Sequence, residues 1–133
     1  MNRSTGKIVV KHIWASQDAG LSVYVSGSEN QMIGGVTQSV SRALSEAVTF
    51  NKTRVTSLDW VTYPLLRFKD HPAVTPILIQ RPEIVPGGGG EPPAVPTPAA
   101  IANAFFDATG VRIRQMPMTP ARVRAVLNAA GVR

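Results

Sequence analysis

Residues 82–98, PEIVPGGGGEPPAVPTP, hold six prolines and four contiguous glycines. Neither a regular helix nor a sheet ladder runs through such a stretch, because proline removes donors and fixes φ while glycine carries the largest ordering cost. The fold must therefore be built by the chain on either side. Two readings of the stretch itself stay open on composition. A flexible tether mixes glycine with serine and charge over greater length, whereas here the ends are pinned by proline and only the centre is permissive. Glu91 follows that centre directly, and Pro92 and Pro93 remove the next two donors. Such a carboxylate can be presented on a stiff support while a bulky group lies against Gly88, Gly89 and Gly90. In a dry pocket its pKa would rise toward the range useful to a general base. Composition alone favours the tether.

The flanking stretches carry clear periodicity. GKIVVKHIWA, residues 6–15, is β-branched and aromatic and predicts a strand. Ser28 and Gln31 form an S-x-x-Q capping box ahead of Met32, Val36, Val40, Leu44 and Ala47, which recur at helical spacing, so a capped helix is expected near 29–47. On its other face Gln31, Gly34, Gly35, Gln38 and Arg42 form a stripe. Two glycines there each cost the helix about 1 kcal/mol against alanine, and solvent would not require them. Either a ligand comes close at Gly34 and Gly35, with Gln38 offering its amide, or a neighbouring element does; the second reading is the simpler. A hairpin is expected over 48–68, with Pro64 limiting its second strand, a strand over 74–80 with Pro76 marking an edge or bulge, and a short strand at VRIRQM. Thr97 with Pro98 predicts a helix packed through Ile101, Ala104, Phe105 and Ala108 and ended by Gly110. Thr119 with Pro120 predicts a last helix with Val123, Val126, Leu127 and Ala130 inward. The result is an α+β order in a single domain over 1–133, with several strands and two C-terminal helices. The regular ending of the last helix suggests a natural C-terminus.

Several function classes recede. There is no cysteine, and His12 and His71 are far apart with no ligand spacing, so no metal ligand is assigned and no iron–sulfur cluster is expected on this chain. The basic start reaches Lys11 before a signal-length apolar run develops, and nothing approaches the roughly 18 apolar residues of a membrane span. The chain reads as soluble, its compartment unknown. A net charge of +6 raises nucleic acid, but the local excess at Arg112, Arg114, Arg122 and Arg124 has no interleaved aromatics, and a solvated face explains it better. No nucleic-acid partner is expected.

The block GGGGEPPAVPTPAAIANAFFDATGVRIRQMP resembles the C-terminal region of the molybdopterin-binding subunit of the xanthine dehydrogenase and aldehyde oxidoreductase family. SENQMIGGVTQSVSRALSEAVTF followed by RVTSLDWVTYPLLRF looks most like the branch of that family formed by the isoquinoline 1-oxidoreductase β-subunit. The likeness reverses the tether reading. It implies the C-terminal part of a molybdenum-hydroxylase cofactor-binding domain. The glutamate of the G-E-P element is the family's base, which carries that role to Glu91; the glutamine of G-G-x-x-Q contacts the pterin, which carries that role to Gln38. Gly34 and Gly35 would face the same site, and Gly89 and Gly90 would border the metal. The implied cofactor is molybdenum–molybdopterin in its cytosine dinucleotide form, shared with an upstream molybdopterin-binding segment or subunit. An iron–sulfur subunit would take the electrons. The implied reaction hydroxylates an N-heterocycle or aldehyde with oxygen from water, and this chain alone is not expected to turn over. The alternative is a non-catalytic remnant or assembly module that keeps the fold without cofactor.

Overall fold

The structure is a computed structural model and describes residues 1–132. Its regular elements are β1 (His12–Asp18), α1 (Val25–Leu44), β2 (Ala73–Ile79), α2 (Thr97–Thr109) and α3 (Pro120–Ala129), with single 3₁₀ turns at Phe68–Asp70 and Pro92–Ala94. β1 and β2 pair in parallel from His12↔Ala73 to Asp18↔Ile79. A parallel pair needs a crossover, and α1 lies within it. One face of the pair, with Ile13, Ala15, Gln17, Val74, Pro76 and Leu78, turns toward the interior, while the alternate residues are exposed. Pro76 sits opposite Ala15 in unbroken register. β2 is an edge strand, where a missing N–H is tolerated.

The periodic apolar face of α1 is the centre of the core. Met32, Val36, Val40 and Ala43 are fully buried, and Ile101, Phe105, Ile113, Met118, Val123 and Leu127 close over the helix from the C-terminal third. Burial of side chains of this size stabilises by about 1.5–3 kcal/mol each. The α+β class and the two C-terminal helices hold, and the ends of the last two are as the turn residues dictate. Gly110 takes φ 71° to stop α2, and the Thr119 hydroxyl accepts the Arg122 N–H to start α3. Ala104, Ala108 and Ala130, expected inside, are exposed.

Four local expectations are corrected. First, α1 starts at Val25 and ends at Leu44, and Ser28 is not its cap. The Ser28 hydroxyl instead pairs with that of Ser22 at 2.6 Å and donates back to the Tyr24 carbonyl, so it lies within the first turn and leaves Gln31 free of the capping box. Ala47 falls beyond the helix. Second, residues 6–11 do not belong to the ladder, which begins at His12 because β2 begins at Ala73. Third, the hairpin reduces to a single bridge between Phe50 and Val55. Asn51 draws the Thr53 and Arg54 amides onto its side chain, and Asp59 does the same with Val61 and Thr62. Such local bonds compete with a ladder. Fourth, VRIRQM forms no strand. Ile113 is spent in the core, and Arg112 lies over the Phe106 ring while bonding Asn103 of α2. Several strands were expected; the described residues form two.

Candidate functional site

The glycine run is a fastened loop. At its start the Gly87 N–H bonds the Ala19 carbonyl at 2.7 Å, and the Leu21 N–H bonds the Ile84 carbonyl at 3.0 Å, so the turn after β1 holds the approach. Beyond Glu91 the chain is held again. Pro93 is buried, its carbonyl accepts from the Thr97 hydroxyl at 2.9 Å, and the Ala94 carbonyl accepts from the buried Ser39 hydroxyl of α1 at 2.7 Å. Pro92–Ala94 makes one 3₁₀ turn, with the Ala94 N–H on the Glu91 carbonyl at 2.9 Å. Glu91 thus stands between two anchors, directly before a stiff and partly buried turn.

The stripe on α1 meets this loop. A Cβ at Gly35 would lie 3.4 Å from the Gly90 carbonyl oxygen and 3.6 Å from the Ala94 nitrogen. Gly35 therefore serves close approach of the loop backbone, the simpler of the two readings of that position. Gly34 differs: a Cβ there would meet nothing within 4 Å, as at Gly88. Gln38 is exposed one turn along, its side-chain oxygen accepting from Arg42 at 3.3 Å. Arg42 and Glu91 line one open hollow with Ser39, Ala43, Ala94 and Val95. Gly88, Gly90 and Glu91 line a second, with Pro92, Val95 and Pro96.

Two glutamines stand against the run. A Cβ at Gly90 would lie 3.3 Å from Gln31 Nε2, and one at Gly89 would lie 3.5 Å from Gln17 Nε2. The sequence presents Gln31 as half of a cap and gives Gln17 no role; the place of Gln17 in Q-D-A-G, on the inward register of β1, is the available signal. Glu91 is exposed and makes no ion pair among the described residues. No group of three or more potential metal ligands exists among them.

Residues 1–72 match the family model described as a molybdopterin cofactor-binding domain. The chain belongs to this family. A nicotinate dehydrogenase subunit of Pseudomonas putida is 44% identical over 131 residues, which cover 98% of this chain and 11% of that protein. The β-subunit of isoquinoline 1-oxidoreductase from Brevundimonas diminuta is 32% identical over 120 residues, covering 90% of this chain and 15% of that relative. The aldehyde oxidoreductase of Desulfovibrio gigas superposes with a TM-score of 0.83 at 29% identity, over 94% of this chain and 14% of that one. The resemblance to the xanthine dehydrogenase and aldehyde oxidoreductase family is therefore correct, and the chain corresponds to a small share of each relative's length. No helix among the described residues is long and apolar enough to cross a membrane.

Proposed function

We propose that this chain forms one wall of the cofactor pocket of a molybdenum hydroxylase, with Glu91 as the base and Gln38 as a pterin contact. The observation that carries the proposal is the meeting of the Gly90 carbonyl with the side-chain-free face of α1 at Gly35, which brings the GGGGE run against the helix that bears Gln38. The residues fit a large planar group. Gly34 on α1 and Gly88 in the loop each leave open the space a Cβ would take, and the side chains of Gln38 and Glu91 are exposed. Gln38 and Gly34 would hold the molybdenum–molybdopterin, as its cytosine dinucleotide form, from the α1 side, and Gly89 and Gly90 would border it from the loop. When bound, that cofactor supplies the two-electron oxidation that no side chain here can perform.

What the chain itself contributes is a proton acceptor on a rigid mount. The buried Pro93 and the bonds from Ser39 and Thr97 fix the backbone that follows Glu91, which narrows the positions its carboxylate can take. A carboxylate suits the task, because it takes up a proton without adding positive charge beside the cofactor. The remaining walls of the pocket, the iron–sulfur partner and the substrate channel belong to the upstream molybdopterin-binding segment or subunit and its complex. The substrate class is an N-heterocycle or aldehyde, oxygen coming from water; relatives named for nicotinate and isoquinoline support the heterocycle.

The test is Glu91→Gln in the complex reconstituted with the upstream portion. Metal content should persist while kcat falls by about 10²–10⁴, the usual worth of a positioned acid–base group. Undiminished turnover with metal retained would reject the assignment.

A further inference from the structure

Gln17 is only 8% exposed, and its Oε1 is buried with no hydrogen-bond partner. A buried acceptor left unpaired costs about 1–3 kcal/mol, so a native protein keeps one only where a donor arrives or a function demands it. The carboxamide lies against the glycine run, its Nε2 3.5 Å from where a Gly89 Cβ would stand. The run is rich in donors that no backbone group takes. Among the described residues the N–H groups of Gly88, Gly89 and Gly90 make no backbone hydrogen bond, although Gly87 before them and Ala94 after them do. The nitrogen is the end now turned to Gly89; a half-turn of the carboxamide would bring the oxygen there and move the nitrogen into the buried place.

We propose that Gln17 is a positioning residue for the loop: its carboxamide, held in the interior by β1, accepts an N–H of the Gly88–Gly90 run and so fixes where that run delivers Glu91. The two anchors at Gly87 and Pro93–Ala94 set the ends of the loop, and glycine leaves the middle free to sample many conformations. A third tie, in the middle, is what converts a permissive span into a defined one. Gln31 Nε2 stands 3.3 Å from where a Gly90 Cβ would lie, and both carboxamides line one hollow with Gly89 and Gly90. The catalytic consequence rests on the reading of Glu91 as base; the structural one does not.

The experiment uses Gln17→Met, which keeps length and removes the acceptor, and Gln17→Glu, which keeps an acceptor, both in the complex purified through this chain. Amide hydrogen exchange is followed for the peptide spanning 87–91, with kcat and KM measured on the same samples. In Gln17→Met the loop should exchange roughly tenfold faster, the upper range of one net hydrogen bond, with α1 and α2 unchanged. Turnover should fall in kcat with KM within about twofold, and Gln17→Glu should restore much of the loop protection. Unchanged loop exchange in Gln17→Met overturns the proposal. So does loss of folding in both variants, which would make Gln17 a general core residue. Glu91→Gln run alongside separates the two readings: if that variant turns over normally, the base assignment fails, while the exchange result still decides the role of Gln17.

Discussion

Adjacent glycines on α1 do different work, and substitution separates them. At Gly34 a new Cβ meets nothing within 4 Å, so Gly34→Ala should gain the helix about 1 kcal/mol. If that open space is where the cofactor rests, the same variant raises thermal stability and lowers molybdenum content together; denaturation and metal analysis on one preparation read both. At Gly35 the loop is already in contact, so the branched side chain of Gly35→Val must displace it and should cost about 1–3 kcal/mol, visible as a lower denaturation midpoint. Gly6 is stricter still. Its φ is 73° and a Cβ would stand 2.3 Å from the Pro120 carbonyl oxygen, so α3 and the N-terminal segment approach there only without a side chain. Asp59 shows how a residue closes a local turn. Its carboxylate accepts from the Thr62 amide first, then the Thr62 hydroxyl and the Val61 amide, and these hold its pKa below the ordinary value. A depressed carboxylate stabilises fully above its unfolded pKa, and that contribution is lost as pH falls through the folded one. Acidification below about pH 4, the unperturbed aspartate range, should therefore free the Thr62 amide progressively, which amide exchange or proton chemical shifts would report.

Between elements, the decisive joint is the one from α1 to the turn after Glu91. Ser39 is buried and donates to Ala94 across the joint. Ser39→Ala leaves that carbonyl without its donor and should cost about 1 kcal/mol, with faster exchange confined to 91–97 rather than spread along α1. This joint also marks how far the sequence could be read. The buried stripe Met32, Val36, Val40 was legible because a helix imposes its period on whatever packs against it, and Gly110 and Thr119 were legible because each end has a local chemical requirement. The cap at Ser28 was not, since a serine in the first turn can bond backward to Tyr24 and outward to Ser22 as readily as it can cap. Nor was the absence of strands over 6–11, 48–68 and VRIRQM. β-branched composition gives extended backbone, but a ladder needs a neighbour, and no sequence window shows whether one is in reach. Glu91 stood out by its proline-braced place and Gln38 by its place on the glycine stripe, resemblance giving both their roles, and Gly35 stood out by its cost to the helix. Gln17 was invisible because its importance lies in a partner that stands 72 positions away at Gly89, a relation only the tertiary structure displays.

At the scale of the whole molecule, the outward face of the β1–β2 pair is unusual for a finished surface. Trp14 is 66% exposed with His12 stacked on it, and Ile77 and Ile79 lie on the same face at 46% and 44%. Parallel sheets are normally covered on both sides, and apolar surface of this kind marks contact with other protein. The chain matches 11% of the length of the nicotinate dehydrogenase relative and 15% of the isoquinoline oxidoreductase relative, which leaves ample polypeptide in such proteins to supply the cover. If the upstream molybdopterin-binding portion packs on this face, assembly transfers Trp14 from water to an apolar setting. Its fluorescence should shift to shorter wavelength on reconstitution, and the shift should vanish in Trp14→Phe while the equally exposed Trp60 is still present. If Glu91, Gln38 and Gly34 line the proposed cofactor pocket, the same reconstitution should also bring molybdenum into the complex. A complex that forms with an unshifted Trp14 would mean that the upstream portion approaches from elsewhere, and the sheet face would then belong to a different partner.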